Sequence, residues 1–222
     1  MKRKFIVFFI VVTLIILSVY LFLRIYEHCS RQEQVISAYT LSSEEAALLR
    51  DGDIILRRGY GFVSDMIVKS LNDNTGLSHC AILTQFKGHW IVVHSISSTL
   101  SDVDGVQWQD LRTFIKQSKK KSVVVMRYRY GINGADLARI GDRAKYYLEK
   151  KIPFDNAFDL FDSSSFYCSE LLWKVFKDEY HVDIFKSKYC PGHYDYMKFD
   201  NFLDTSNFKV IIDHRKKTQK HF

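Results

Sequence analysis

One cysteine and two histidines in this sequence could together perform acyl transfer. Cys168 lies at the start of an expected helix, in the stretch FYCSELLWKVF, and His79 and His94 lie in two apolar runs much earlier in the chain. The positive end of a helix dipole favours the thiolate form of a cysteine in the first turn. An imidazole can then carry the proton, and a second polar group can fix its tautomer. These residue types predict nucleophilic catalysis by Cys168 through a thioester.

The two histidines are expected on one face of a β-hairpin. The runs SHCAILTQF and WIVVHSIS flank the turn KGH, and a two-residue loop after Phe86 would pair that residue with His89. In this register Ala81 lies opposite His94, and His79 shares the face of Ala81 because side chains alternate along a strand. A loop one residue longer would turn His94 to the other face. The two-residue loop therefore predicts that both imidazoles reach a common partner.

The helix that carries the cysteine is predicted to begin with Ser165 as its N-cap, which would make Cys168 its third residue. Cys168, Leu171, Leu172 and Val175 recur at helical spacing, so the sulfur would lie at the edge of the core-facing stripe. A purely structural role is the alternative for Cys168, because free cysteine is among the most buried residue types. Each histidine has the same alternative, and the motifs around these residues are what favours catalysis.

The first segment of the chain is long and apolar enough to cross a bilayer. The run FIVFFIVVTLIILSVYLFL has no charged residue, and at about 1.5 Å per residue it is roughly 28 Å long. The exit sequence LRIYEHC lacks the small residues of a cleavage site, which favours an uncleaved anchor. The cations at 2–4 predict a cytoplasmic N-terminus, with the rest of the chain outside, in the periplasm or at the cell exterior of a bacterium. Lipidation of Cys29 fits poorly, because bulky polar residues precede it.

The overall composition is that of a globular domain with accessory segments. The chain has 222 residues, 47% of them hydrophobic, and a net charge of +7. The cations are scattered and form no nucleic-acid-binding motif, so no nucleic-acid partner is expected. Four cysteines are too few for a dense disulfide framework, although a bridge between Cys29 and Cys190 stays open.

Helices and strands mix without a regular βαβ alternation, which predicts the α+β class. Ser42 and Glu45 form a capping-box pattern before a short helix, and the strand DIILRR follows. A second short helix is expected after Ser64 as its cap, then the hairpin, the strand SVVVMRYRY and a helix that opens at Asn133. The last expected strand is FKVII.

Six short motifs in the chain resemble those of a known family. DGDIIL, LSHCAIL, VVHS, VVVMRY, KIPFDNAF and FYCSELLWKVF occur in this order between Asp51 and Phe176. Their order and spacing resemble permuted papain-fold cysteine hydrolases of the NlpC superfamily, in the YaeF/YiiX-like branch. The resemblance implies a circularly permuted papain-like α+β domain with an antiparallel sheet and a nucleophile helix, here behind an N-terminal transmembrane helix.

The resemblance also implies roles for individual residues. Cys168 corresponds to the nucleophile and His79 to the catalytic histidine, and their reversed order relative to papain reflects the permutation. His94 falls on the position of the third polar residue, where this branch often has glutamate. A histidine occupies that place in the related lecithin:retinol acyltransferase-like proteins. Asp155 matches the proline-aromatic-aspartate element of the family, and either a chemical role or a supporting one is open.

The implied function is hydrolysis of amide or isopeptide bonds by a membrane-anchored cysteine hydrolase without a cofactor, with cell-wall peptides as candidate substrates. One alternative is an acyl-lipid hydrolase or acyltransferase of the lecithin:retinol acyltransferase-like type, and another is a catalytically inactive binding module. A zinc site at Cys168, His79 and His94 is a third alternative, but no CxxC or HxxxH spacing supports it. The expected partners are a peptide or acyl substrate and the membrane, and the oligomeric state is left open.

The predicted organisation has five parts. They are a cytoplasmic basic start at 1–4, a transmembrane anchor at 5–26, a stalk at 27–45, the permuted papain-like hydrolase domain at 46–213, and a basic tail at 214–222.

Overall fold

The computed structural model describes residues 2–72, 74–129, 134–185 and 197–215. In chain order the elements are α1 (Lys2–Ile36), α2 (Ser43–Leu48), β1 (Ile54–Arg57), α3 (Phe62–Leu71), β2 (His79–Phe86), β3 (His89–Ile96), β4 (Gly105–Asp110), α4 (Leu111–Lys116), β5 (Val124–Tyr128), α5 (Gly134–Glu149), α6 (Cys168–Tyr180), a 3-10 helix (Phe199–Leu203) and β6 (Phe208–Asp213). Asn133, the predicted first residue of the helix that is observed as α5, lies outside the described residues. Cys190 and residues 216–222 of the tail lie outside them as well.

Within these residues the strands form one six-stranded sheet with the order β4-β3-β2-β1-β5-β6. Every neighbouring pair in it is antiparallel. The hairpin of β2 and β3 has the predicted register, with Phe86 opposite His89, because its loop contains two residues. The antiparallel sheet with helices packed on it confirms the α+β class.

The two faces of the sheet carry different hydrophobic clusters. Strand β2 shows the alternation directly, since Cys80 and Ile82 belong to the cluster under α5 and α6, whereas Ala81 belongs to the cluster under α4. Helix α6 fixes the first cluster by burying Leu171, Leu172, Val175 and Phe176 completely. Each such side chain stabilises the fold by about 1.5–3 kcal/mol. The cysteine helix is therefore held firmly against one face.

The start of α3 differs from the predicted one. Gly61 is the N-cap, with a φ of 94° that favours glycine. The Ser64 hydroxyl does not cap the helix, because it donates to the Gly59 carbonyl at 2.9 Å and bonds the Ser78 hydroxyl at 2.6 Å. The prediction of Ser64 as the cap is therefore wrong, and its hydroxyl instead ties the helix to the residue before His79.

The start of α6 also differs. The N-cap is Tyr167, so Cys168 is the first helical residue and not the third. Ser165 cannot cap the helix as predicted because its hydroxyl donates to the Asp162 carboxylate at 3.2 Å. The carboxyl group of Glu170 accepts from the Tyr167 N–H at 3.3 Å instead. Cys168 is consequently at the N-terminus of the helix, where unsatisfied backbone N–H groups are concentrated.

Helix α1 continues beyond the apolar run. It extends to Ile36 and thus through the first part of the segment 27–45 that was predicted to be a stalk. Among the described residues it is the one helix that is long and apolar enough to cross a membrane. Its length and composition fit a membrane span or a signal sequence. The capping box at Ser42 and Glu45 is present as predicted and begins α2.

Candidate active site

The two histidines of the hairpin form a hydrogen-bonded pair. His79 Nε2 lies 2.8 Å from His94 Nδ1, and the rings meet edge to face at 74°. His94 is almost fully buried, at 3% exposed. Both rings pack against Phe114 with centroid distances of 5.9 Å. The two imidazoles therefore lie on one face of the hairpin, as its register predicts.

The Cys168 sulfur lies beside Cys80, in the cluster under α6. The Cys80 thiol hydrogen-bonds this sulfur and lowers the pKa of Cys168, and burial opposes that shift. The backbone N–H groups of Cys80, Ser169 and Cys168 itself lower the pKa of Cys168 further. Burial raises the pKa of Cys80 well above its ordinary value, so Cys80 stays a thiol and a donor. The surroundings of Cys168 thus stabilise a thiolate.

The Cys168 sulfur and the two imidazoles lie near the same end of β2 but on opposite faces of the sheet. Cys80 projects towards α6, and its neighbour His79 projects towards α4, because side chains alternate along the strand. In the described part of the chain no hydrogen bond joins the Cys168 sulfur to either ring. The backbone pairing of β2 with β3 ends at Ile82 and Val93, so it does not extend to His79 or His94. The structure therefore does not bring the Cys168 sulfur and the imidazoles together, and a direct contact between them requires a movement of the Cys168 or His79 side chain at this strand end.

A buried arginine that the sequence analysis did not select adjoins the histidine pair. Arg57 is 7% exposed and lies opposite His79 in the pairing of β1 with β2. Its guanidinium lies 4.0 Å from the centre of the Phe114 ring and donates to the Phe114 carbonyl at 2.8 Å. The available signal was a cation at the end of the otherwise apolar strand IILR.

Arg57 affects the protonation of both histidines. Burial, the neighbouring His94 and the charge of Arg57 lower the pKa of His79 well below its ordinary range. Burial and Arg57 lower the pKa of His94 to about 3. Both imidazoles are therefore neutral at pH 7, and a neutral imidazole has a lone pair that can accept a proton.

Replacing Arg57 with methionine should raise the pKa of His79, because the nearby positive charge is removed. We expect the acid limb of the pH profile of kcat/KM to move up by about one pH unit. The matched control is Arg58→Met, since Arg58 is paired with Asp65 at 2.6 Å. If the acid limb of the kcat/KM profile did not move in a folded Arg57→Met protein, Arg57 would have no influence on the pKa of His79.

Glu170 is a second buried ionisable group that the sequence analysis missed. It is fully buried, and its Oε1 has no hydrogen-bond partner in the described structure. Burial raises the pKa of this carboxyl group to about 8, so it is largely protonated at pH 7. The signal in the sequence is its position three residues after the N-cap Tyr167, which is capping-box spacing.

Because the folded state keeps a proton on Glu170 that the unfolded state releases, the wild type should lose stability as the pH rises from about 4.5 to 8. Glu170→Gln should remove this dependence and raise the free energy of unfolding at pH 7 by about 2 kcal/mol. The measurement is denaturant unfolding of the detergent-solubilised full chain at pH 5, 7 and 8. Glu149→Gln, at an exposed position, is the control. Parallel pH dependences for wild type and Glu170→Gln would contradict the assignment.

Asp155 organises the loop that leads to Cys168. It is 2% exposed, and its carboxylate accepts from the N–H groups of Ala157 at 2.8 Å and Asp159 at 2.6 Å. The same loop is held near the sheet by Gly105, where a Cβ would lie 2.1 Å from the Ile152 carbonyl oxygen. Of the two roles left open by the sequence, these contacts favour support of the loop.

The comparisons with known proteins identify the family. The chain matches the family described as "Permuted papain-like amidase enzyme, YaeF/YiiX, C92 family" over residues 48–197, a range that includes Cys168, His79 and His94. The protein therefore belongs to this family of permuted papain-like proteins, as the motifs predicted.

Two relatives from Escherichia coli agree with this assignment. "Uncharacterized protein YiiX" of strain K12 is 28% identical over 127 residues, which is 57% of this chain and 57% of that protein. This chain therefore spans little more than half the length of that relative. The crystal structure of YiiX from strain O157:H7, described as a metalloprotein, has a TM-score of 0.59 at 18% identity and covers 74% of this chain and 97% of its own. That likeness shows the fold.

Proposed function

We propose that this protein is a membrane-anchored cysteine hydrolase that cleaves amide or isopeptide bonds through a thioester on Cys168. The observation that carries the proposal is the position of Cys168, which is the first residue of α6 and lies beside the Cys80 thiol that lowers its pKa. The amidase description of the family supports the same bond class. The proposed anchor is α1, with the N-terminus in the cytoplasm and the domain outside.

In the proposed reaction the Cys168 sulfur attacks the carbonyl carbon of the scissile amide. Backbone N–H groups at the start of α6 stabilise the oxyanion of the tetrahedral intermediate. The C–N bond then breaks, the amine leaves with a proton, and an acyl thioester remains on Cys168. Water attacks the thioester, which releases a carboxylic acid and restores the thiol.

His79 is the proposed base and acid of this cycle. With its proton on Nε2, it donates to His94 Nδ1 at 2.8 Å and keeps a lone pair on Nδ1 for the thiol or water proton. Because His79 and Cys168 lie on opposite sides of β2 in this structure, transfer of the thiol proton to His79 requires a movement of one of these side chains. The same proton is then delivered to the leaving amine. His94 acts on the reaction by holding the orientation and tautomer of His79, which makes it a positioning residue.

A metal has no step in this proposal. The described residues contain no group of three His, Cys, Asp or Glu side chains placed to hold a metal ion. The candidate residues are divided between the two sides of β2, which does not fit a shared ligand set. The description as a metalloprotein applies to the Escherichia coli relative.

One observation favours a second candidate function, the transfer or hydrolysis of lipid acyl groups. The position where this branch often carries glutamate holds His94, and the structure shows it bonded to His79. A histidine pair of this kind is what the resemblance to lecithin:retinol acyltransferase-like proteins implies. The chemistry at Cys168 would be the same, with an ester in place of the amide.

The test is intact-mass spectrometry of the full chain in nanodiscs after incubation with candidate acyl donors. Peptidoglycan stem-peptide fragments and peptides with isopeptide bonds represent the first candidate, and phospholipids represent the second. A peptidyl adduct on Cys168 together with released amine supports amide hydrolysis, whereas a fatty-acyl adduct supports the lipid candidate. Absence of any adduct and of turnover for every donor would contradict the proposed function.

A further inference from the structure

Helix α1 binds the rest of the protein at the end of the predicted span and directly after it. Glu27 Oε1 accepts from the Phe62 N–H at 2.7 Å, and the Ser30 hydroxyl accepts from the Gly61 N–H at 2.6 Å. The Tyr26 hydroxyl hydrogen-bonds the Asp65 carboxylate, and its ring packs on Phe62. We call Tyr26, Glu27 and Ser30 the α1 clamp. It satisfies the backbone N–H groups at the start of α3 that would otherwise need a cap.

The domain side of this contact is built to receive the helix. A Cβ on Gly61 would lie 3.1 Å from the Glu27 carboxylate, so glycine allows the close approach. Asp65 also binds Arg58 at 2.6 Å and Lys119 at 3.1 Å. Although burial raises the pKa of Asp65, its bonds to Tyr26, Arg58 and Lys119 lower that pKa to about 2. The clamp therefore joins α1 to an ionised and fully bonded centre in the domain.

The clamp holds α3 close to the bilayer. The predicted apolar run ends at Leu23, and at about 1.5 Å per residue Tyr26 and Ser30 stand roughly 5 and 10 Å beyond it. A lipid headgroup layer is itself about 5 to 8 Å thick. Next to the clamped side of α3, Val63 and Met66 are exposed by 39% and 42%. Apolar side chains at this height can enter the interface of the membrane.

A cation lies beside this exposed apolar pair. Lys69 is in the last turn of α3, three residues after Met66, whereas Lys119 and Lys120 lie near Glu33 and Ile36, farther along α1. A basic side chain beside apolar ones at a bilayer surface is attracted to anionic headgroups. The exposed side of α3 with Val63, Met66 and Lys69, which we call the α3 surface, therefore fits an anionic lipid interface.

The α3 surface adjoins the candidate site. Ser78, the residue before His79, bonds Ser64 of α3 at 2.6 Å and accepts from the Gly59 N–H at 3.0 Å. The other end of β2, at Phe86, lies roughly 24 Å away at 3.4 Å per residue. The clamp thus places the end of β2 that carries His79 near α1, and the hairpin tip lies at the other end of this strand.

We propose that the α3 surface docks on the bilayer that holds α1, so that the candidate site acts on substrates that are themselves held in or at this membrane. This inference rests on the proposed function, with α1 as the anchor. The substrate class is a lipid-linked peptide or an acyl lipid presented at headgroup height, and a freely diffusing soluble peptide is a poor substrate.

The docking is tested by photocrosslinking of the full chain in nanodiscs that contain phosphatidylglycerol and phosphatidylethanolamine. A benzophenone amino acid is placed at Met66, at Phe9 in the predicted span, or at His89 on the hairpin tip. We expect phospholipid adducts at positions 9 and 66 and at least tenfold fewer at position 89. If adducts formed at position 9 but were as few at position 66 as at position 89, the docking would be overturned. Lack of adducts at position 9 would overturn it as well, by removing the anchor.

The substrate class is tested with one scissile bond presented on a lipid anchor and in a soluble peptide. Glu27→Ala combined with Ser30→Ala should lower turnover of the lipid-held form at least tenfold more than turnover of the soluble form. The matched control on the same helix is Gln32→Ala combined with Glu33→Ala, at exposed positions. Equal losses on both forms would overturn the substrate class. If the wild type turned over neither form, the proposed function would fail, and the crosslinking would still decide the docking.

Discussion

Replacing Cys168 with alanine is expected to abolish turnover, with a fall in kcat/KM of about 10⁴-fold or more. The variant lacks the atom that would form the thioester, and the neighbouring Cys80 is a poor substitute because burial raises its pKa well above the ordinary value. The measurement is hydrolysis of the best substrate found, together with the mass of the protein after reaction with a thiol-directed acyl probe. Cys168→Ser should also lose most activity, because a serine hydroxyl at this position has no thiolate-like ionisation.

Two cysteine variants serve as controls for this result. Cys29 is exposed on α1, and Cys29→Ala should keep the wild-type rate. Cys80→Ala removes a donor to the Cys168 sulfur, so the pKa of Cys168 should rise and its alkylation at pH 7 should slow by about tenfold. Full turnover by Cys168→Ala, or labelling of Cys29 in place of Cys168, would exclude Cys168 as the nucleophile.

Replacing His79 with alanine is expected to lower kcat/KM by about 10²- to 10⁴-fold, the usual contribution of a general acid–base group. His94→Asn should have a smaller effect, about tenfold, because an amide can still accept from His79 Nε2. In the wild type the acid limb should lie well below pH 6.5, since burial, His94 and Arg57 lower the pKa of His79. The measurement is the pH profile of kcat/KM for the three proteins.

The control for the histidine variants is His89→Ala, at the exposed hairpin tip. It should match the wild type in rate and in pH profile. If His79→Ala stayed within fivefold of the wild type, or if its acid limb coincided with that of the wild type, the proton carrier would have to be another group. His79 would then be a structural histidine that stacks on Phe114.

The histidine geometry could be predicted from the sequence because it depends on local information. A two-residue loop sets the register of the hairpin, and strand alternation then decides which side chains share a face. The position of Cys168 in α6 could not be predicted as reliably. Ser165 is a good cap by type, but its hydroxyl is engaged by Asp162, and the backbone of Tyr167 is capped by Glu170 instead.

Other features depend on contacts between distant segments. Arg57 influences the histidines because its guanidinium stacks on Phe114, which is far away in the chain. The residue types and motifs predict that Cys168 and the imidazoles share one site. The structure shows that strand alternation puts them on opposite faces of β2. The contacts of Glu27 and Ser30 with Phe62 and Gly61, at the start of the segment predicted to be a stalk, join segments far apart in the chain, so composition alone does not reveal them.

The order of the elements has a consequence for how the protein is made. The hairpin that carries both histidines is synthesised before α6. A nascent chain therefore contains the two histidines of the candidate site before Cys168 has been added. Until α6 is made, the side chains of Ile82 and Val93 lack the helix that packs against their strands, and they remain apolar surface. The order of the elements therefore predicts an interval during synthesis in which this apolar surface favours aggregation.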